Sequence, residues 1–569
     1  MGTNGDDAMD TQSTPRSVSA RLLIGSALRR PVSGVVASGG ASVSAATQAS
    51  PGGPERSTGA TERPRDSWVD RDAVWLLLAA GVLGAAVMWV MHNALVDDAF
   101  ITLDYARSLA HRGEWGLLPG VPANTATSPL NVMVLSAITV VVRSPMLALW
   151  IVSIVNPMVL ALGLLKLGRR WDVGARFAWV ALPILVLNPL LASSIGLETM
   201  LVVTATVWLL ERAGAGDPKG FGWLAGISVV LRPDVVVVVA VIWLCSPALR
   251  RSGWRSSTAT IAWRAALVGL PWYAFSWIYF GSAVPDTLVI KQSQHWGTFW
   301  EGLVTRQREL FPLPVDATLL LAGLGLLVLV CTPLLARTSY RPVLLGVASA
   351  GIAGIASYGL FCFLDVPPYF WYYGLPTAAL SLLAAWAIAA ASSRLMSTRA
   401  VVVSQLLCAA LLLGAIGPAL ASWAVNLSHS APLRRAPVFG NWASTPEYKS
   451  LGLRLAKRFP SDTVIRSAGE FGTILYYCDC LLLDRFDSRG LIMDKLTDAR
   501  DGSALMRLNY LFLDPADYPV VHQDYHLSYR RGHSPGKHAF NVFTPSHGHG
   551  HYRIKAGPRP EDADQGLAP

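Results

Sequence analysis

Apolar runs long enough to cross a lipid bilayer recur along this chain from Ala73 to Val425, separated by short polar or basic segments. A membrane-crossing helix needs about 20 consecutive apolar residues. Inside the hydrocarbon every backbone polar group must be bonded within the protein, so a chain of this kind folds as a bundle of membrane helices. Composition agrees: 52% of the 569 residues are hydrophobic and 15% are charged, against about a quarter charged in soluble domains. An ordinary soluble enzyme is excluded. The net charge of +10 resides mostly in basic clusters between apolar runs, where it sets orientation, so no nucleic-acid partner is expected.

The expected fold class is a polytopic α-helical membrane protein with a small external α/β domain at its C-terminal end. Residues 1–66, rich in Ser, Gly, Ala, Thr and Pro, read as a disordered cytoplasmic tail. The membrane domain, 67–428, opens with a span at Ala73–Leu95, and Arg56, Arg63, Arg65 and Arg71 before it place its start in the cytoplasm. Pro129–Val142 is short for a span, and counting it as one would turn Lys166, Arg169, Arg170 and Arg176 outward, so it reads as an interfacial or re-entrant helix. Further segments near 146–167, 176–195, 197–211, 221–231, 234–247, 258–280, 316–336, 342–363, 371–392 and 400–425 then leave Arg250, Arg251, Arg255, Arg337, Arg341, Arg394 and Arg399 inside. That gives about eleven crossings, with the N-terminus inside and the C-terminus outside. Residues 429–555 read as the external domain, with a helix at Thr445–Phe459 and strands at Thr463–Ile465, Cys480–Leu483 and Tyr510–Leu513; 556–569 is a polar tail. No internal repeat suggests the inverted symmetry of many transporters.

Chemistry-bearing residues gather at the outer ends of the spans. Asp97 and Asp98 adjoin the mouth of the first span, where paired carboxylates call for a cation, a proton or a hydroxyl donor as partner. The polar run Asn124, Thr125, Ala126, Thr127, Ser128 precedes Pro129, with Ser128 as N-cap and proline at the first helical position. Glu198, Arg232 with Asp234, Asp286 with Thr287 and Lys291, and the aromatic run Tyr369–Tyr373 fall on the same side. An arginine between two short apolar helices must face a cavity or a counter-charge, and Arg and Lys suit an anionic head group. Together these describe a site for a phosphate-bearing amphiphile. Cys478 and Cys480, at C-x-C spacing, read as an unpaired same-face strand pair with a strained disulfide as the alternative, and His547, His549 and His551 as a solvated tail rather than a metal site. Trp442, Tyr448, Tyr476, Tyr477 and Tyr510 either stack on sugar rings or form a core.

In order and spacing these motifs resemble the GT-C integral membrane glycosyltransferases that use polyprenyl-phosphate sugars, most of all the actinobacterial terminal arabinofuranosyltransferases of cell-wall arabinan. Asp97-Asp98 with Phe100-Ile101 resembles the group's first-loop Asp pair, and Ala123 to Ser128 its Asn-Thr-Ser run. Ser194 to Thr199 resembles Ser-Gly-Leu-Glu-Ser/Thr, Leu231-Arg232-Pro233-Asp234 resembles Val-Arg-Pro-Glu, and Val284 to Lys291 resembles Val-Pro-Ser/Asn-Thr followed by Ala-Lys. The likeness covers residues 75–300 and, through Gly469-Glu470-Phe471-Gly472-Thr473, the external domain, whereas Gly120-Val121-Pro122 departs from the usual Gly-Glu-Arg-Val-Glu. The resemblance implies a polyprenyl-phosphate sugar donor, a glycan acceptor and a plasma-membrane location. It implies Asp98 or Asp97 as the base that takes the acceptor's proton, or one of them as nucleophile, and Arg232 and Lys291 as the holders of the departing phosphate. Asn124, Thr125, Ser128, Glu198, Asp234 and Thr287 are the implied substrate contacts. No cofactor or metal is required by the motifs; for the members that use a divalent cation, Asp104 and Glu198 would be the added ligands. A mannosyl or other sugar transferase, and a transporter of a polyprenyl-linked sugar, are the alternatives.

Overall fold

Periodic apolar sequence makes the helices, and proline, glycine and capping side chains end them. The computed structural model describes residues 71–557 except Ser252, His295, 336–340, 396–400, Asp479, Pro519 and Lys537. The expected tail 1–66, the expected tail 556–569 apart from Ala556 and Gly557, and the basic residues Arg337 and Arg399 therefore lie outside the described residues, while Ala556 belongs to the last strand rather than to a tail. The helices are α1 Arg71–Met91, α2 Asp97–Arg112, α3 Pro129–Val142, α4 Pro145–Arg170, α5 Ala175–Val186, α6 Thr199–Ala215, α7 Pro218–Leu231, α8 Val236–Cys245, α9 Trp254–Tyr279, α10 Thr287–Gln292, α11 Pro312–Leu335, α12 Arg341–Phe363, α13 Gly374–Leu395 and α14 Val401–His429. Proline opens α3, α4 and α7, where its missing N–H costs nothing. Ser144 accepts from the Leu147 N–H and Asp217 from those of Lys219 and Gly220.

Six helices among the described residues are long and apolar enough to cross a bilayer: Arg71–Met91, Pro145–Arg170, Pro312–Leu334, Pro342–Phe363, Phe370–Ser393 and Gln405–His429. Their outward faces are apolar too, with Trp75, Val82, Val330 and Leu334 exposed, as lipid contact requires and water would penalise. The chain is a membrane protein. The other expected crossings fall on shorter or less apolar helices, and one differs in shape. The segment expected as a single span over 176–195 stops at Val186, and a separate turn, Pro189–Ala192, follows. Asn188 causes the break by accepting the Leu190 and Leu191 N–H groups through Oδ1, the backbone bonds a continuing helix would have supplied.

After α14 come α15 Thr445–Arg458 and α16 Gly472–Cys478, then α17 Met493–Gly502 and α18 Ala504–Asn509, around a five-stranded mixed sheet. Its strands are β1 Val464–Arg466, β2 Leu481–Leu483, β3 Tyr525–Arg531, β4 Phe540–Thr544 and β5 Gly548–Ala556, in the order β2-β1-β3-β5-β4. β1 pairs in parallel with β2 and β3, and β5 lies antiparallel between β3 and β4. Three expectations are corrected here. Tyr510–Leu513 is a turn rather than a strand, because Tyr510 buries its ring in the cluster of Ile290, Ile492 and Leu496. His549 and His551 lie in β5 and His547 in the turn before it, so this segment is central sheet rather than solvated tail. Cys478 and Cys480 form a disulfide, their Cα atoms 5.1 Å apart across the α16–β2 junction, where the chain reverses and turns both side chains together.

The C-terminal sheet shares a core with the preceding helices. Ile465, Leu482, Leu527 and Tyr552 of the sheet pack in a cluster that also contains Tyr105 of α2, Val132 of α3 and Trp115 between them.

Candidate active site

Two glycines bring three separate stretches of sequence into contact around the start of α2. Gly196 has φ +95° and lies so close to Ala99 that a Cβ would sit 2.5 Å from the Ala99 Cβ. At Gly472 a Cβ would meet the Asp97 carbonyl oxygen at 2.5 Å. The first contact brings Glu198 beside α2, and the second lets the N-terminus of α16 rest on it.

Asp97 and Asp98, adjacent in sequence, consequently do different work. Asp97 is buried, and its carboxylate accepts from three successive backbone N–H groups at the start of α16: Phe471 and Gly472 at 2.9 Å and Thr473 at 2.7 Å. Burial pushes this carboxyl above its ordinary range, and the Thr473 and Gly472 groups oppose the shift. Asp97 is thus a clasp between the start of α2 and the start of α16. Asp97→Ala is expected to orphan three donors and lower stability by about 3 kcal/mol, read as a drop in thermal midpoint and faster proteolysis within 429–555. A midpoint equal to wild type would dismiss the clasp.

Asp98, by contrast, keeps 35% of its side chain exposed and faces a cavity of about 670 Å³. Lys291 Nζ lies 3.8 Å from its carboxylate and donates to the Tyr372 hydroxyl at 3.1 Å. The ammonium also lies over the rings of Tyr369, Trp371 and Tyr372, at 4.6, 5.2 and 5.1 Å. Burial alone would lower Lys291, but Tyr372 and Asp98 hold it above its ordinary value, so it stays a cation. A smaller pocket of about 50 Å³ shares Asp98 and Lys291 and adds Thr125, Ser128, Glu198 and Thr287.

The structure gathers the remaining sequence-predicted residues around this point, mostly paired with one another. Arg232 lines a separate small pocket behind Tyr372, bound to Glu198 at 3.2 Å and Asp234 at 2.9 Å, its guanidinium 5.3 Å from the Tyr372 ring centre. Tyr372 therefore separates the two cations, and Lys291 is the one that lines the main cavity. Asn124 donates to the Ser276 and Ser282 hydroxyls and to the Ser282 carbonyl. Thr125 donates to the Phe486 carbonyl, and Thr287 to the Thr125 carbonyl at 2.6 Å. Asn124, Thr125 and Thr287 thus tie the segment before α3 to the end of α9, to the start of α10 and to Phe486. Ser128 stands at the N-cap of α3, yet its buried hydroxyl makes no capping bond and lines the small pocket.

Sequence reasoning missed three groups. Arg489 grips Asp286 through two contacts, at 2.7 and 3.2 Å, both side chains being fully buried. Glu470 lines the cavity and accepts from the Trp442 N–H and the Tyr448 hydroxyl. Arg306, Arg531 and His547 line it from the far side. No motif could have found these, since their partners lie elsewhere in the chain and no helical or strand period links them. Of the five aromatic residues proposed for stacking, Trp442 lines the cavity; Tyr448 and Tyr510 are buried core, and Tyr476 and Tyr477 pack on Phe100.

Among the described residues no three His, Cys, Asp or Glu side chains converge to hold a divalent ion, and the two expected added ligands are engaged, Asp104 with Arg107 at 2.7 Å and Glu198 with Arg232. No step is assigned to a metal.

No protein-family model and no curated protein sequence matches the chain, whereas solved structures do. ArnT from Cupriavidus metallidurans bound to undecaprenyl phosphate aligns with a TM-score of 0.52 and 14% identity over 85% of this chain and 99% of that one. Its apo form gives 0.51 and 15% over the same shares. The Archaeoglobus fulgidus oligosaccharyltransferase tethered to an acceptor peptide gives 0.51 and 12%, over 81% of this chain and 70% of that one. The chain has a GT-C-like fold. At these identities the likeness is one of architecture, and within the GT-C-like frame the Asp97 clasp and the Lys291 cage are read from this chain's own residues.

One titration of the frame is measurable. Burial and then the neighbouring Asp97 charge push the Glu470 carboxyl from an ordinary 4.5 to about 8, against the bonds from Tyr448, Trp442 and Asn441. The folded state therefore holds a proton that the unfolded chain releases, and stability falls as pH rises through that window. The thermal midpoint in detergent is expected to decline from pH 4.5 to 8, and Glu470→Gln to flatten the decline. An unaltered slope in the variant would remove Glu470 as its source.

Proposed function

We propose that the protein is a membrane glycosyltransferase that moves a sugar, arabinofuranose by the sequence resemblance, from a polyprenyl-phosphate donor to a cell-wall or lipoglycan acceptor. The observation that carries this reading is Asp98 beside Lys291 at the wall of a cavity built jointly by the outer loops and the external domain. A carboxylate able to take a proton and a buried ammonium able to hold a phosphate are the two groups that glycosyl transfer from a phosphate carrier needs.

In the proposed reaction the acceptor hydroxyl gives its proton to Asp98 as its oxygen bonds to the anomeric carbon. The bond from that carbon to the phosphate oxygen breaks, and the electron pair leaves on the phosphate, neutralised by Lys291. If the anomeric configuration is retained, Asp98 instead bonds to the anomeric carbon as the phosphate leaves, and the acceptor hydroxyl then displaces the carboxylate, its proton passing to the carboxylate it frees. Arg232, fixed by Glu198 and Asp234, braces Tyr372 against Lys291. About eleven crossings with the N-terminus inside would put the external domain on the outer face of the plasma membrane, and the Cys478–Cys480 disulfide suits that oxidising side.

The test is transfer of radiolabelled sugar from polyprenyl-phosphate arabinose to a synthetic arabinan oligosaccharide by the purified protein in detergent. Turnover with another polyprenyl-phosphate sugar, mannose included, would keep the reaction and change the sugar. No turnover with any donor, together with movement of the donor across liposomes, would establish the transporter alternative. Against that alternative stands the place of Asp98 at the start of α2, just past the end of the first apolar helix, whereas transporter carboxylates usually lie at mid-bilayer.

A further inference from the structure

Lys291 is matched to a donor that carries a single phosphate, yet the cavity holds more positive charge than that. Arg531 at the end of β3, Arg306 before α11 and His547 in the turn between β4 and β5 line the same cavity as Asp98. Arg306 and Arg531 are exposed, and among the described residues no carboxylate lies within ion-pair distance of either. Elsewhere in the site each cation has its carboxylate: Lys291 has Asp98, Arg232 has two, and Arg489 has Asp286. Uncompensated guanidiniums on a concave wall concentrate potential there and suit an oxyanion.

The surroundings are shaped for a sugar. Arg306 donates to the Trp296 carbonyl at 3.2 Å and lies 4.8 Å over its ring. Trp296 in turn packs edge-on against Tyr369, the ring beneath Lys291, with centroids 5.0 Å apart. An aromatic wall thus runs from the reacting end to the Arg306 end. Tyr529 and Arg531, two residues apart on β3, point to the same side of the sheet, and Tyr529 stacks on Trp442 with centroids 4.5 Å apart, both rings lining the cavity. Burial, then Arg306 and Arg531, push His547 below its ordinary range, so at neutral pH it offers a neutral imidazole.

We infer that Arg306, Arg531 and His547 form a second anion subsite and that the acceptor carries an oxyanion, phosphate or carboxylate, on a glycan that lies along Trp442 and Tyr529. This rests on the transferase reading, since it assigns Lys291 to the donor. The test uses the full chain in detergent and three labelled pentose oligosaccharides: neutral, phosphorylated at one end, and carrying a uronic acid. Fluorescence anisotropy is expected to show an anionic probe binding about tenfold or more tighter than the neutral one at low salt, as one or two charge-assisted hydrogen bonds contribute. The better of the two identifies the group. Arg306→Gln with Arg531→Gln should erase the preference, and Lys291→Gln should keep it. Equal binding of all three probes would overturn the inference, as would a double variant that loses undecaprenyl phosphate while its preference among the oligosaccharides persists. Failure of the transferase reading is separately visible, as absence of turnover with every donor while the anion preference remains.

Discussion

Asp98→Asn is expected to reduce transfer by at least a hundredfold in a protein that still folds, because a positioned general base contributes about 10² to 10⁴ in rate and the part-exposed Asp98 side chain, unlike Asp97, makes no bond to the backbone of another element among the described residues. The amide keeps the size and hydrogen-bonding shape of the carboxylate but cannot take the acceptor's proton. Asp98 is the member of the acidic pair that can be lost this way, since its side chain faces the cavity while Asp97 spends both oxygens on the N-terminus of α16. The two substitutions should therefore separate: at Asp98 turnover falls at constant fold, and at Asp97 fold and turnover fall together. A folded Asp98→Asn protein that retains more than a tenth of wild-type transfer would end the assignment.

Arg489→Ala is expected to have the largest effect on stability. Its guanidinium is buried, meets both oxygens of Asp286, and donates to the Ser282 and Tyr518 hydroxyls and the Phe280 carbonyl. Removing one partner leaves a buried carboxylate uncompensated, at a cost of about 3–5 kcal/mol. The damage should concentrate where 429–555 meets the loop after α9, seen as hydrogen exchange opening at 280–292 and 489–518. The double variant Arg489→Met with Asp286→Leu should recover much of the loss, because an apolar pair of similar volume replaces two buried charges. If the single variant were as stable as wild type, the pair would not be what joins the two regions.

The membrane helices were legible because apolar periodicity is a local property. A helix at Pro129–Val142 was expected and found over the same residues, and α15 begins at the expected Thr445. The strands β3 to β5 were not legible. Their sequences carry His, Arg, Ser and Gly at positions where sheet partners, not composition, supply the stabilisation. The Cys478–Cys480 bond escaped for a related reason, since spacing alone does not reveal that the chain turns between the two residues.

At the site, residue chemistry was legible and pairing was not. Hydropathy led to the expectation that Asp97, Asp98, Glu198, Arg232, Asp234, Asp286 and Lys291 gather at the ends of apolar segments, because a charge has few places to reside at a bilayer edge. Which carboxylate stays free is a matter of ångströms set by the approach of Gly472 to Asp97, of Arg489 to Asp286 and of Glu198 to Arg232, contacts between residues up to hundreds of positions apart. By itself the sequence determined that this chain enters a membrane as helices and gathers its charges at their ends, since hydrophobic burial acts on short stretches. Only the tertiary structure decided that Asp98 and Lys291 face the cavity while the other charges lock one another, since each ion pair and hydrogen bond exists only where the fold closes the distance.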